Sequence, residues 1–347
     1  MSHRLRMHLD KFLPLYVISG MLLGYLMGMN IDVKPHKEMF KALNMIVVIS
    51  MIYPMMINLK VDELKDSIKL WKPISIALVM GLVVPPILMY LLAKFTSLFF
   101  PVSSQLSLGL ILAVVVPCSS MAIAYTGFVD GNLELATILV VISFTLAIGV
   151  VPLWLKVFAS AYHLSISAWL LVKTILIVIF IPLGAGILTR YFLLKKLGTK
   201  GFSKLKLLFS SISLLGMYTM VTLIFMEKAK LIASKPSVVL MVFLPLLLYY
   251  VIELAFLTFF DKLIGVSYKD HMAITFTSVG KNQGTAMAIA MAAGMGVMAI
   301  PAAVTPIFQI AMLVGYVKLA KFIKRYYGCE CLKRLEKLER EELEKLR

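Results

Sequence analysis

The chain alternates between apolar runs of about twenty residues, the length that crosses a bilayer as a helix, and short polar segments rich in lysine and arginine. Ten such runs begin near Phe12, Ala42, Ile74, Leu106, Leu133, Ala168, Leu205, Val238, His271 and Pro301. The pattern predicts an all-α integral membrane protein with ten transmembrane helices. The first run follows the basic stretch "MSHRLRMHLDK" but continues to Met29 without a small-residue cleavage site, so it is expected to stay as the first helix. No long soluble insert or low-complexity stretch interrupts the series.

An even number of spans puts both termini on one side. Of the 35 Lys and Arg, 25 fall on that side and 9 on the other, with Lys281 inside a span. Cytoplasmic loops collect positive charge, so both termini are expected in the cytoplasm of a protein of the plasma membrane. The loop "RYFLLKKLGTKGFSKLK" is the strongest anchor of that orientation and divides the spans into five and five. Five is odd, so the second half would be inverted relative to the first, as in many secondary transporters. The expected units are residues 1–160, 161–323 and a charged cytoplasmic tail, 324–347.

Composition agrees with this pattern. At 61% hydrophobic residues and a mean hydropathy of +0.93, the chain has more apolar surface than a soluble core could hide. A net charge of +17 would suggest nucleic acid in a soluble protein. Here the charge lies in loops and tail, so membrane lipid is the expected partner and nucleic acid is not.

Spans four and nine, each fourth in its half, are both interrupted. Span four reads "LGLILAVVVPCSSMAIAYTGF" and span nine "ITFTSVGKNQGTAMAIAMAAG". Pro117 removes a backbone donor, and Gly280 and Gly284 loosen the chain around Lys281. Breaks at matching positions point to a midplane binding site, where freed carbonyls, amides and half-helix dipoles hold an ion. The expected substrate contacts are Pro117, Cys118, Ser119 and Ser120 from one break, and Asn282 and Gln283 from the other.

Lys281 is costly in this setting, at about 2.5–3.5 kcal/mol on insertion scales. Two readings remain open. As a coupling residue, its charge would serve proton exchange or attract an anion; as a structural residue, it would form a fixed ion pair. The expected partner in either case is Glu253, the acid deep in "LLLYYVIELAFLTFF". Catalysis and cofactors are not expected. The five histidines sit near termini, loops or span ends without metal-ligand spacing, and there is no phosphate-binding Gly-x-x-x-x-Gly-Lys-Ser/Thr loop.

Three stretches carry a family resemblance over nearly the whole chain: "MIYPMMINLKVDEL" (Met51 to Leu64), "VVPCSSMAIAYTGFVDGNLEL" (Val115 to Leu135) and "FTSVGKNQGTAMAIA" (Phe276 to Ala290). They resemble the arsenical-resistance permeases, which share a superfamily with the bile acid:sodium symporters. The resemblance implies a ten-helix inverted-repeat fold with spans four and nine crossing. It also implies a secondary active transporter that exports arsenite-like metalloid weak acids or anions by proton exchange. The alternative is a sodium-coupled symporter of an organic anion such as a bile-acid-like or keto acid.

The positions matching the sodium branch's ligands are Ala122, Ile123, Ala136, Val140 and Ser278. Four of these lack the side-chain oxygen that a hard cation needs, so sodium is less expected than the proton. Lys281 would then stand as a tethered cation. In the arsenite branch this run resembles Asn-Asn-Phe-Glu, whereas here it is Lys281-Asn282-Gln283-Gly284. Cys118, beside the breaker proline, suits a thiophilic metalloid. Cys329 and Cys331, past the last span, are expected to be incidental.

Overall fold

The computed structural model describes residues 13–31, 33–59, 70–100, 103–164, 167–234 and 237–328. Cys329, Cys331 and most of the expected tail therefore lie outside the described residues. Among those described, the chain is helical with no strand. The helices are α1 (Leu13–Asn30), α2 (Lys37–Ile57), α3 (Trp71–Leu82), α4 (Val84–Ser97), α5 (Ser104–Val115), α6 (Met121–Phe128) and α7 (Leu133–Ala161). They continue with α8 (Ala168–Ile175), α9 (Ile181–Ser234), α10 (Ser237–Leu263), α11 (Tyr268–Val279), α12 (Gln283–Ala292) and α13 (Ala299–Tyr326).

Among the described residues, six stretches are long and apolar enough to cross a membrane: Glu38–Ile57, Trp71–Ser97, Leu133–Ala161, Val172–Ser234, Met241–Leu263 and Gly296–Tyr326. This is an all-helical, multi-pass membrane protein. The stretches do not match the ten expected runs one for one, for identifiable reasons. Val172–Ser234 covers 63 residues, about 95 Å at the 1.5 Å rise of a helix. It bends at Gly198, whose φ of 64° breaks the helical path. Runs four and nine are each cut in two: α5 and α6 have 12 and 8 residues, and α11 and α12 have 12 and 10. Each half reaches only about 12–18 Å, roughly half the hydrocarbon thickness.

The part of α9 after Gly198 packs along both α1 and α2. Its contact with α1 runs over Gly20, Gly24 and Gly28, spaced four residues apart on one helix face. A Cβ placed on Gly24 would lie 2.2 Å from the Thr222 carbonyl oxygen, and one on Gly28 would lie 2.1 Å from that of Met226. The helices touch backbone to backbone, as small residues at this spacing allow in lipid.

The broken helices occupy the centre. Every residue of α5 from Leu106 to Val115 is buried, as is every residue of α11 from His271 to Val279. Apolar residues on all sides of a helix are what such a position requires. Polar side chains within these segments are therefore shielded from both lipid and water.

Candidate functional site

The proline at 117 ends α5. A residue before proline is driven out of the helical region, and Val116 is extended, at φ −62° and ψ 157°. On the other chain segment, Gly280 (φ −77°, ψ 67°) ends α11, with the Lys281 amide donating to Val279 O at 2.9 Å. That is an inverse γ-turn. Only glycine fits there, because a Cβ would stand 2.5 Å from Phe276 O.

The two extended segments cross and pair. Cys118 and Lys281 form a single antiparallel bridge. Ser119 N donates to Gly280 O at 2.7 Å, and Asn282 N to Pro117 O at 2.9 Å. Backbone groups stripped of helical partners in a membrane interior must find others, and here the two breaks satisfy each other.

Side chains alternate along an extended segment, so this short bridge has two faces. Ser119, Ser120, Asn282 and Gln283 line a cavity of about 120 Å³ between the crossing, α2, the later part of α9 and α13. The thioethers of Met51, Met55, Met121 and Met217 share its wall. Asn282 holds its position by accepting from Thr285 N at 3.0 Å, which caps α12, while its Nδ2 lies 2.8 Å from Met55 Sδ. Pro117 and Cys118, expected among the substrate contacts, are not in this lining. The Cys118 thiol points to the other face, into a void of about 20 Å³ shared with Gly81, Ser143 and Thr277, and its Sγ is 3.1 Å from Ser143 Oγ.

Lys281 is 2% exposed and lines both spaces. Its ammonium donates to the carbonyl oxygen of Gly81. That acceptor has a sequence origin. Pro85 and Pro86 have no N–H to offer the carbonyls four residues earlier, so Gly81 O and Leu82 O are left open where α3 gives way to α4. Lys281 takes the first, and Trp154 Nε1 takes the second at 2.8 Å.

The expected Lys281–Glu253 ion pair is not formed. Both carboxylate oxygens of fully buried Glu253 lack hydrogen-bond partners, although the two groups remain within electrostatic reach. The ammonium is received by the Gly81 carbonyl instead.

Gln309 of α13 was not anticipated from sequence, yet it ties the crossing together. It donates to Lys281 O at 3.0 Å, and its Oε1 accepts from Gln283 Nε2 and Tyr250 OH, each at 3.2 Å. Its signal was a lone amide in the apolar run "TPIFQIAML".

A second cavity, of about 420 Å³, opens at the far end of the same helices, lined by Asn44, Val48, Glu227, Lys228 and Met291. Asn44 Nδ2 donates to Glu227 Oε1 at 2.6 Å. Asn44, Val48, Met51, Met55 and Asn58 follow helical spacing along α2, so one face of α2 serves both cavities.

A multi-pass bundle with two interrupted helices meeting around a buried cation, and polar cavities toward either end, has the architecture of a membrane transporter. The comparison with known families agrees: residues 45–235 match the Sodium Bile acid symporter family, and the chain belongs to it. It is 26% identical over 332 residues to the Arsenical-resistance protein Acr3 of Corynebacterium glutamicum, covering 89% of this chain and 88% of that protein. It is also 26% identical over 320 residues to an uncharacterized transporter of Synechocystis, covering 80% and 83%. With a second Arsenical-resistance protein Acr3, from Alkaliphilus metalliredigens, it shares 22% identity over 254 residues, 68% and 70% of the two chains. The protein is a membrane transporter and not an enzyme.

Proposed function

We propose that this transporter exports arsenite-like metalloid weak acids or anions from the cytoplasm, by exchange for protons across the plasma membrane. The single observation that carries the reading is the two-faced crossing, with sulfur donors on both sides and a lysine ammonium fixed where a coupling cation would otherwise be needed. Soft metalloids favour thiolate and thioether surroundings, here Cys118 behind the crossing and four methionines before it. A metalloid that meets Cys118 must pass from the methionine-lined cavity to the void behind the crossing. The relatives named for arsenical resistance support the same substrate.

Ten spans in two inverted five-helix repeats, 1–160 and 161–323, account for the helices. The halves of spans four and nine each complete one crossing, and α9 supplies two passes around Gly198. With both termini cytoplasmic, the cavity at Asn58 and Ser210 faces inward and the one at Glu227 faces outward. Cavities along the same face of α2 support alternating exposure of one central site. The N-terminal ends of α6 and α12, both at the inner cavity, favour an anion there.

The surroundings of Lys281 support proton rather than sodium coupling. A Cβ on Gly81 would lie 3.4 Å from Ser278 Oγ and 3.9 Å from Lys281 Nζ, so the ammonium stands beside the position that carries an acid in sodium-coupled relatives. Ala122, Ala136 and Val140, at positions matching the sodium branch's ligands, are buried and carry no side-chain oxygen.

The test is arsenite accumulation in everted vesicles, driven by a pH gradient in sodium-free buffer, for the native protein and for Cys118→Ser. Accumulation by the native protein that Cys118→Ser largely abolishes is the expected result. If neither protein accumulates arsenite and organic anion uptake rises with sodium, the export reading fails and the symporter reading replaces it.

A further inference from the structure

A second buried ionisable cluster lies away from the crossing, where the end of α10, the start of α11 and the last turns of α13 meet. His271 and Asp261 are both 0% exposed. His271 Nδ1 is 2.7 Å from Asp261 Oδ2 and 3.3 Å from Thr275 Oγ1. Its Nε2 is 2.8 Å from the hydroxyl of Tyr316, which in turn is 2.6 Å from Thr258 Oγ1. The ring of Tyr327 stacks on the imidazole at 4.7 Å.

The neighbouring charges are engaged elsewhere. Lys262 sits 3.4 Å above the Tyr326 ring, and Lys324 is 3.6 Å from Asp130 and over the Tyr268 ring. Facing the imidazole are Asp261 from α10, Thr275 from α11, Tyr316 from α13 and Tyr327 just past its end, with Thr258 of α10 behind the Tyr316 hydroxyl. Among the described residues, His271 is the basic side chain in contact with Asp261.

This geometry satisfies two protonation states without moving the backbone. With the imidazole charged, Nδ1–H donates to Asp261 and Nε2–H to the Tyr316 oxygen, and the Tyr316 hydroxyl donates to Thr258. With it neutral, Nδ1–H still donates to Asp261, and the Tyr316 hydroxyl turns to donate to Nε2. Only one hydroxyl rotates between the two states. Thr258 keeps Leu254 O as its own acceptor, at 2.6 Å, in both.

Packing alone does not require such a pair at this corner. In the proposed inverted repeat, the counterpart is the corner of α4, α5 and α7. Tyr90 and Tyr162 rings close it at 5.6 Å, with Lys94 5.5 Å from the Tyr162 ring. The cluster also shares two helices with the crossing: α11 runs from His271 to the turn before Lys281, and α13 carries Tyr316 two turns beyond Gln309.

We propose that the His271–Asp261 pair, with Tyr316 as its switching donor, is the proton-binding site of this carrier, distinct from Lys281. The proposal rests on the proton-exchange reading, but its first test needs no substrate. In histidine-selective ¹⁵N NMR of the purified native protein in nanodiscs, the His271 resonance, assigned by its loss in His271→Gln, is expected to move between its imidazole and imidazolium positions as pH is varied across the range in which the protein stays folded. Shifts that stay constant over that range overturn the proposal.

The second test compares two fluxes in proteoliposomes carrying Tyr316→Phe, a change that leaves the ring and its packing in place. Arsenite exchange at equal pH on both sides is expected to stay within about threefold of native, while pH-driven accumulation falls at least about tenfold. Equal loss of both fluxes, or loss of neither, overturns the proposal. If the native protein moves no arsenite at all, the substrate reading fails on its own, and the NMR titration alone decides the proton site.

Discussion

Replacing Lys281 with methionine separates a coupling residue from a structural clamp, because the two roles predict different outcomes for stability and transport. Methionine fills nearly the same volume, so packing changes little. The substitution deprives Gly81 O of its donor, and an orphaned buried carbonyl costs about 1–3 kcal/mol. It also removes a charge from a membrane interior, worth about 2.5–3.5 kcal/mol on insertion scales. No contact ion pair is broken, since Glu253 makes no hydrogen bond to the lysine. The net change lies between roughly 2.5 kcal/mol more stable and 0.5 kcal/mol less stable. Thermal unfolding of the purified protein measures that change, and pH-driven arsenite accumulation measures function. The expected result is unchanged or raised stability with transport abolished, or made dependent on added sodium. A loss above about 2 kcal/mol, with transport per folded molecule intact, would falsify the coupling role and make the lysine a structural clamp.

Gln309→Leu removes three hydrogen bonds from the crossing; at about 0.6 kcal/mol per interhelical bond in a membrane, stability should fall by about 2 kcal/mol. An unfolding midpoint indistinguishable from native would show that the amide does not tie the crossing together. Gly280→Ala places a methyl 2.5 Å from Phe276 O, so the turn must open and transport should be lost; native transport rates in this variant would contradict the γ-turn. Gly24→Ala sets a Cβ 2.2 Å from Thr222 O, and forcing α1 from α9 should cost about 1–3 kcal/mol, read as a lowered unfolding midpoint. An unshifted midpoint would refute the backbone contact.

The sequence was most readable where chemistry and local backbone coincide. Pro117 and Gly280 mark the two breaks directly, because each changes what its own backbone can do, and the structure brings the segments around them together. Partnerships across spans were harder to read. The pair Pro85-Pro86 signals two open carbonyls, but nothing local says that Lys281 and Trp154 will fill them. Glu253 looked like the lysine's partner because it was the acid deep in a span, yet a carbonyl intervened. His271 looked like a residue at a span end. The α11 start lies deeper than its position in the run suggests, because α10 and α13 close over it.

The antiparallel bridge at the crossing also bears on how one short segment could serve both substrate and coupling charge. A helix would spread Cys118, Ser119, Lys281 and Asn282 at about 100° intervals, mixing the groups around each axis. Two extended residues per segment instead place Ser119 and Asn282 at the cavity and the Cys118 thiol behind the crossing, with Lys281 lining both spaces and donating to Gly81 O. Backbone hydrogen bonds join the two segments directly. A change on the lysine side, such as loss of its grip on Gly81 O, therefore moves the same peptide units that position Ser119 and Asn282. The groups on the two faces are linked through a few shared peptide bonds.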